Sequence, residues 1–150
     1  WQRGVSLYCF TVALTYNGGK KKIPELELVQ AAQKAKTSIF ACEKWVVFSN
    51  VEAKLSPGKT VKVDYPHTEG RRPNTKSFVN TKLFMNVWGN IKKQMTWFSF
   101  SWVVKVDPPT VFIPSRLRTI LSHQMVTSKG VYMENCDLVR MSLHGSLEVI

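Results

Sequence analysis

Residues 101–112 of the chain read Ser-Trp-Val-Val-Lys-Val-Asp-Pro-Pro-Thr-Val-Phe, and this stretch decides the fold that the sequence predicts. Residues 102–106 are apolar except for one lysine, a composition typical of a strand buried on both faces. The strand must end at Asp107, because the two prolines that follow have no amide hydrogen to donate to a central ladder. We therefore expect a carboxylate at the carboxyl end of a strand, which is the side on which open α/β sheets bind ligands.

A helix is predicted directly after this strand. Pro114 suits the first turn of a helix, and Leu117, Ile120 and Leu121 recur at helical spacing. The resulting unit is a strand, an acid, a turn and a helix. It requires a second parallel strand against which to pack.

The rest of the chain supplies further strands and helices. Residues 6–14 predict a first, central strand, and a helix opening at Pro24 follows it. Residues 39–48 are β-prone but interrupted at 42–44, and residues 60–64 alternate as a half-exposed edge strand does. The clearest helix covers residues 78–95, and short strands are expected at 131–133 and 138–141. The stripes expected to be buried are Leu28, Ala31, Ala32 and Ala35 in the first helix, Phe84, Val87, Trp88, Ile91 and Met95 in the second, and Leu117, Ile120, Leu121 and Met125 in the third.

This alternation of strands and helices predicts an α/β fold, a mostly parallel sheet with helices on both faces. The 150 residues are 44% hydrophobic, which suits one domain over residues 1–150. No apolar run approaches the roughly 20 residues of a membrane span, and the start carries no secretory signal pattern. Because the chain opens on Trp1 and closes on an apolar stretch at 147–150, we expect it to be truncated, a domain incomplete at both ends.

The formal net charge is +11, contributed by small groups of lysine and arginine scattered along the chain. Such a balance favours polyanions, phosphorylated ligands or an anionic membrane face as partners, with a merely basic soluble surface as an equal alternative. The sequence lacks the clustered basic and aromatic pattern of nucleic-acid-binding modules, so no specific nucleic-acid partner is expected. It also contains no P-loop, dinucleotide-binding glycine motif, nucleophile elbow or His-Glu-x-x-His sequence.

Three cysteines stand far apart, without the Cys-x-x-Cys spacing of a zinc site. Cys9 lies inside an apolar run and is interpreted as a small core residue. The sequence leaves open whether Cys42 and Cys136 pair in an oxidising compartment.

Residues 102–112, followed by Pro-Ser-Arg-Leu-Arg at 114–118, resemble the acid-motif region of GT-A-type glycosyltransferases. The likeness is greatest to the fringe and β-1,3-glycosyltransferase-like group, whose members carry a strand ending in an Asp-x-Asp element, then a hydrophobic pair and a helix. The preceding helix and the later glycine-containing segments at 130–132 and 145–146 also fall where such domains place theirs. The resemblance is specific over residues 88–118.

The resemblance implies a GT-A-like domain that binds a nucleotide-diphosphate sugar and transfers a hexosyl unit to a glycan or protein acceptor. It implies Mn²⁺ or Mg²⁺ as the cofactor, held by Asp107 and by the late histidine His144, with Lys105 and Glu43 contacting the donor. Carboxylate oxygens suit these hard cations, and a cation would stabilise charge on the leaving diphosphate. The implied compartment is the Golgi or the ER lumen, with a membrane reached only through an anchor outside this chain.

The sequence departs from the family pattern at Pro109, which stands where the second acid of the motif would fall. Asp107 alone remains, and its alternative role is a turn residue that caps exposed amides. Lys105 is equally well interpreted as a lysine that snorkels at a sheet margin, and His144 as a loop residue. The alternative functions are a non-catalytic, structural or interaction domain of the same fold and a basic polyanion-binding domain.

Overall fold

A computed structural model describes residues 4–16, 22–65, 81–124, 130–134 and 147–150 of the protein. These residues form one five-stranded sheet, three α-helices and two short 3-10 helices. None of the described helices is long and apolar enough to cross a lipid bilayer. In chain order the elements are β1 (Leu7–Ala13), α1 (Glu25–Lys34), a 3-10 helix (Ser38–Ala41), β2 (Lys44–Ser49), β3 (Val61–Lys62), α2 (Thr81–Gln94), a 3-10 helix (Trp97–Ser99), β4 (Trp102–Val106), α3 (Pro114–Leu121) and β5 (Leu147–Val149).

The sheet has the strand order β3-β2-β1-β4-β5, with β1 in the middle. Strands β1 to β4 run parallel, and β5 pairs antiparallel with β4. β2 and β3 extend the sheet on one side of β1, whereas β4 is added on the other side. The carboxyl ends of β1 and β4 therefore lie at a topological switch point, where open α/β sheets form a ligand-binding crevice. The predicted mostly parallel α/β sheet is confirmed, and so is the edge position of β3.

The central strand is buried along its whole length, and its side chains alternate between the two faces of the sheet. Leu7 and Cys9 belong to one core cluster, whereas Tyr8 and Phe10 belong to the other. A strand covered on both faces reads as a continuous apolar run rather than an alternating one, which is why residues 6–14 show no polar side.

Helices cover both faces of the sheet, as predicted. One face is covered by α1 and α3 and the other by α2. The buried helical side chains are Val29, Leu117 and Leu121 on the first face and Leu83, Val87 and Ile91 on the second.

Five residues expected in buried stripes are exposed instead: Leu28 at 44%, Ile120 at 51% and Met95 at 59%, together with Ala31 and Ala35. Met125, the last residue of the third stripe, lies outside the described residues. In α1 it is Val29 that packs into the core. The helix is therefore rotated about its axis relative to the orientation predicted from the alanine stripe. The short α3 buries Pro114, Leu117 and Leu121, which are three and four residues apart, and this leaves Ile120 on its flank. Met95 follows the last residue of α2 and has a φ of 56°, so helical spacing no longer applies to it.

Residues 38–41 form a 3-10 helix, so the strand predicted at 39–41 is wrong. This turn buries Ile39 in the core and packs the Phe40 ring edge-on against Trp45, with ring centroids 4.8 Å apart. Residues 131–133 are not a strand either, although the Met133 amide donates to the Val149 carbonyl at 3.0 Å. The strand predicted at 138–141 lies outside the described residues.

Cys9 and Cys42 form a disulfide, with their Cα atoms 6.2 Å apart. Cys9 is buried in the core, as interpreted, but it is also half of a disulfide. The partner of Cys42 is Cys9 rather than Cys136, the pairing that the sequence left open. Tertiary structure brings them together, because β1 and β2 pair in parallel with Cys9 opposite Trp45. The bond ties the middle of β1 to the segment that enters β2.

We expect the double substitution Cys9→Ala/Cys42→Ala to lower the free energy of unfolding by about 2–4 kcal/mol, because the bond closes a loop between residues 33 apart. Urea denaturation would measure the change. Dithiothreitol should shift the wild-type midpoint in the same direction and leave the double variant unchanged. An insensitive wild-type midpoint would contradict the pairing.

Candidate functional site

A cavity of about 200 Å³ lies at the switch point. We call it the switch-point cavity. Its polar lining consists of three charged residues. Glu25 is the first residue of α1, Lys105 lies near the end of β4, and Asp107 is the residue that follows β4. The remaining lining is apolar, from Val12, Leu14, Leu83, Phe84, Pro108 and Pro109. Charged groups therefore converge at the carboxyl ends of β1 and β4, where the strand order reverses.

Asp107 follows the last residue of β4, as predicted, and its side chain is 39% exposed. Its Oδ1 lies 3.2 Å from the Lys105 ammonium nitrogen. The Asp107 backbone carbonyl accepts the Thr110 amide at 3.0 Å, which closes the turn made by the two prolines. The turn thus holds the carboxylate at the mouth of the cavity.

Lys105 lies inside β4 with its side chain only 7% exposed. Its Nζ is 3.2 Å from Asp107 Oδ1 and 3.1 Å from Glu148 Oε1 on β5, and 5.0 Å from the centroid of the Phe84 ring. A buried ammonium requires such partners, because its desolvation costs several kcal/mol. Lys105 therefore lines the cavity as a compensated cation rather than as a lysine snorkelling into solvent.

Glu25 is a site residue that the sequence did not reveal, because an acid in the first turn of a helix is also favoured by the helix dipole alone. Its Oε2 accepts the amide of Leu14, the first residue beyond β1, at 2.8 Å. Burial raises the pKa of the Glu25 carboxyl, the Leu14 hydrogen bond opposes this rise, and the negative charge of Asp107 raises the pKa further. The signal available in the sequence was positional, since Glu25 opens the helix that follows the central strand.

The polar lining carries one negative charge in excess when both carboxylates are ionised, since Lys105 is its one cation among the described residues. Glu148, on the other side of the Lys105 ammonium, adds a second negative charge nearby. The cavity is thus acidic in a chain whose formal net charge is +11. An anionic ligand entering alone would be repelled, whereas a divalent cation would reverse the local charge.

The donor set fits a cation that is shared with a ligand. Among the described residues, no group of three or more His, Cys, Asp and Glu side chains is arranged to hold a metal ion. However, Asp107 and Glu25 line one cavity, and Mg²⁺ is commonly bound by one or two carboxylates together with waters and substrate phosphates. His144, the other predicted metal ligand, lies outside the described residues.

Glu43 lies at the amino ends of the parallel strands, one residue before β2 begins. Its Oε2 accepts the Leu7 amide at 2.8 Å, and its Oε1 accepts from the Arg118 guanidinium at 2.8 Å. Burial raises the pKa of the Glu43 carboxyl, but the bonds from Arg118 and Leu7 outweigh it and hold the pKa below its ordinary value. The structure does not bring Glu43 together with Asp107, because the amino ends of parallel strands face away from the carboxyl ends.

Comparisons with protein-family models, with curated proteins and with solved structures gave no match for this chain.

We expect Glu43→Gln to destabilise the protein by about 1 kcal/mol at neutral pH, since the carboxylate is partly exposed and its pairing is screened. A carboxyl whose pKa is lowered on folding stabilises the protein above its unfolded pKa, near 4.5, and this contribution disappears as the pH falls through the lower folded value. The difference in Tm between the two proteins should therefore shrink below about pH 4.

Glu52→Gln is the matched control for this measurement, because Glu52 pairs with Lys59 at 2.9 Å in an exposed position. It should change the Tm little at any pH. A Glu43→Gln difference that persists in acid would show that Glu43 acts through packing rather than through its charge.

Proposed function

We propose that this protein is a GT-A-type glycosyltransferase-like domain that binds a nucleotide-diphosphate sugar with a divalent cation and transfers a hexosyl unit to a glycan or protein acceptor. The observation that carries the proposal is the position of Asp107. This carboxylate follows β4 and lines a cavity at the switch point between β1 and β4. Open α/β sheets bind nucleotides at this place.

The charge of the cavity supports a cation-dependent donor site. A diphosphate is anionic, and the described lining offers it two carboxylates and one ammonium. A divalent cation, when bound, would neutralise these carboxylates and stabilise the charge that develops on the leaving diphosphate. The residues of the chain hold Asp107 in place, because Lys105 pairs with its Oδ1 and is itself held by Glu148.

The disulfide supports the compartment that this proposal requires. Disulfides form and persist in oxidising environments such as the ER lumen and the extracellular space. The Cys9–Cys42 bond in the core is consistent with folding in the secretory pathway, where glycosyltransferases act on glycans and secreted proteins.

The first alternative is a non-catalytic domain of the same fold, which is favoured by the proline at position 109. Pro109 lines the switch-point cavity but offers no ligand to a cation. The second alternative is a polyanion-binding domain, which is favoured by the net charge of +11. Polyanion binding would weaken steeply with added salt and would not need a divalent cation.

We expect the wild-type protein to bind a UDP-hexose in the presence of Mn²⁺, and Asp107→Ala to lose at least about tenfold in affinity, because a cation ligand is removed. Isothermal titration calorimetry with Mn²⁺ and with EDTA would measure both. Asp64→Ala is the matched control, since Asp64 is an exposed acid beyond β3 and does not line the switch-point cavity. Equal affinity with the chelator present would count against the proposal.

Catalysis is tested separately by following release of the hexose from the UDP-hexose. Pro109→Asp restores the second acid of the motif, so a gain of Mn²⁺-dependent hydrolysis in this variant would support a transferase whose activity is impaired by the proline. Hydrolysis by the wild type would show that Pro109 does not abolish activity. Binding without hydrolysis in either protein would favour the non-catalytic alternative.

A further inference from the structure

The Glu25 carboxylate is held in place at the wall of the switch-point cavity. The Leu14 amide donates to its Oε2 at 2.8 Å, and this amide belongs to the residue at which β1 leaves the sheet. A hydrogen bond of this kind orients a carboxylate in the way that outer-shell partners orient metal ligands, while leaving it lone pairs on both oxygens. Glu25 is therefore pre-oriented at the mouth of the crevice between β1 and β4.

Glu25 and Pro109 line the same cavity. Pro109 occupies the position at which the acid motif would place its second carboxylate. The segment after β4 thus offers one carboxylate, that of Asp107, and a second carboxylate reaches the same cavity from Glu25, at the start of α1. This places two acids, Asp107 and Glu25, on one cavity from two different elements.

We propose that Glu25 supplies the second carboxylate ligand of the divalent cation, in place of the acid absent at position 109. The inference rests on the proposed function, since it assigns a residue to the cation that accompanies the diphosphate. Asp107 and Glu25 would each offer the cation a carboxylate, and diphosphate oxygens and waters would complete its coordination.

A purely structural role accounts poorly for an acid at this position. A glutamine would satisfy the Leu14 amide with its carbonyl oxygen and would carry no charge into a partly buried site beside Asp107. The Glu25 carboxylate instead feels the negative charge of Asp107, which Lys105 only partly offsets because Lys105 also pairs with Glu148. A divalent cation would relieve this repulsion. The arrangement thus stabilises the cation-bound state more than the empty one.

The test is the affinity for Mn²⁺ in the presence of UDP, measured by the electron paramagnetic resonance signal of free Mn²⁺ and by calorimetry. We expect Glu25→Gln to weaken Mn²⁺ binding by about tenfold or more, as loss of a metal-site carboxylate does. The matched control is Glu27→Gln on the same helix, since Glu27 is exposed, pairs with Lys22 at 3.3 Å and does not line the cavity. It should bind Mn²⁺ as the wild type does.

A rescue experiment separates a ligand from a structural residue. In the double variant Glu25→Gln/Pro109→Asp, the new acid would stand at a position that lines the same cavity, and it should restore Mn²⁺ affinity to within a few-fold of the wild type. Thermal melts of all variants would show whether folding is retained. A Glu25→Gln protein that is destabilised and is not rescued by Pro109→Asp would overturn the inference.

The outcomes distinguish this inference from the proposed function. If Asp107→Ala abolishes Mn²⁺ binding and Glu25→Gln leaves it unchanged, the cation site stands and the role of Glu25 is wrong. If Glu25→Gln weakens UDP binding equally with Mn²⁺ and with EDTA, Glu25 contacts the nucleotide and not the cation. If the wild type binds neither UDP nor GDP with Mn²⁺, the proposed function itself fails.

Discussion

The burial of β1 on both faces is the constraint on which the rest of the structure depends. A strand that is hydrogen-bonded along both edges and covered on both sides needs neighbouring strands to its left and right and helices above and below. The chain meets this requirement by adding β2 and β3 on one side of β1 and β4 on the other. The switch point follows directly, because β1 is followed in the chain by β2 on one side and β4 is followed by β5 on the other side. The first amide beyond the strand, that of Leu14, then takes its acceptor from Glu25 rather than from a neighbouring strand.

Acids lie at both ends of the parallel strands, and their surroundings shift the carboxyl pKa in opposite directions. At the amino ends of the strands, Glu43 accepts hydrogen bonds from the Arg118 guanidinium and the Leu7 amide, and these bonds hold its pKa below the ordinary value. At the carboxyl ends of the strands, the pKa of Glu25 is raised because the carboxyl is partly buried and because Asp107 is negatively charged. The Glu43 pair with Arg118 is satisfied within the chain and ties α3 to the start of β1 and β2. At the carboxyl ends of the strands, the described residues around the switch-point cavity keep an excess of negative charge.

Lys105 explains how an acidic cavity coexists with an apolar sheet. Its ammonium is buried within β4, where only strong partners offset the cost of desolvation. Asp107 and Glu148 supply these partners, and the Phe84 ring of α2 lies over the charge. The lysine therefore links β4 to β5 and α2, and it orients the Asp107 carboxylate at the same time. The resemblance implied a lysine that contacts the donor, and the structure adds that its ammonium is held by two acids and an aromatic ring.

Much of the fold was predictable from local patterns. The apolar run at 102–106, the acid and the prolines after it placed the carboxylate at a strand end, and the periodicities located all three helices. The errors in the buried stripes of α1 and α3 have a common cause, which is that the spacing of apolar residues does not determine how a helix is rotated against its sheet. Leu28 and Ile120 were expected inside for this reason. The short run at 39–41 was equally ambiguous, since a 3-10 turn buries Ile39 as well as a strand would.

The amino-acid sequence by itself determined the type of fold, the end of β4 and the acid at that end, because these follow from burial patterns and from the chemistry of proline over a few neighbouring residues. Tertiary structure alone decided that Cys9 joins Cys42, that Glu43 faces away from Asp107 and that Glu25 shares its cavity. Each of these facts concerns the relative position of residues that are far apart in the chain. They depend on the order in which strands are laid beside one another, which no local pattern records.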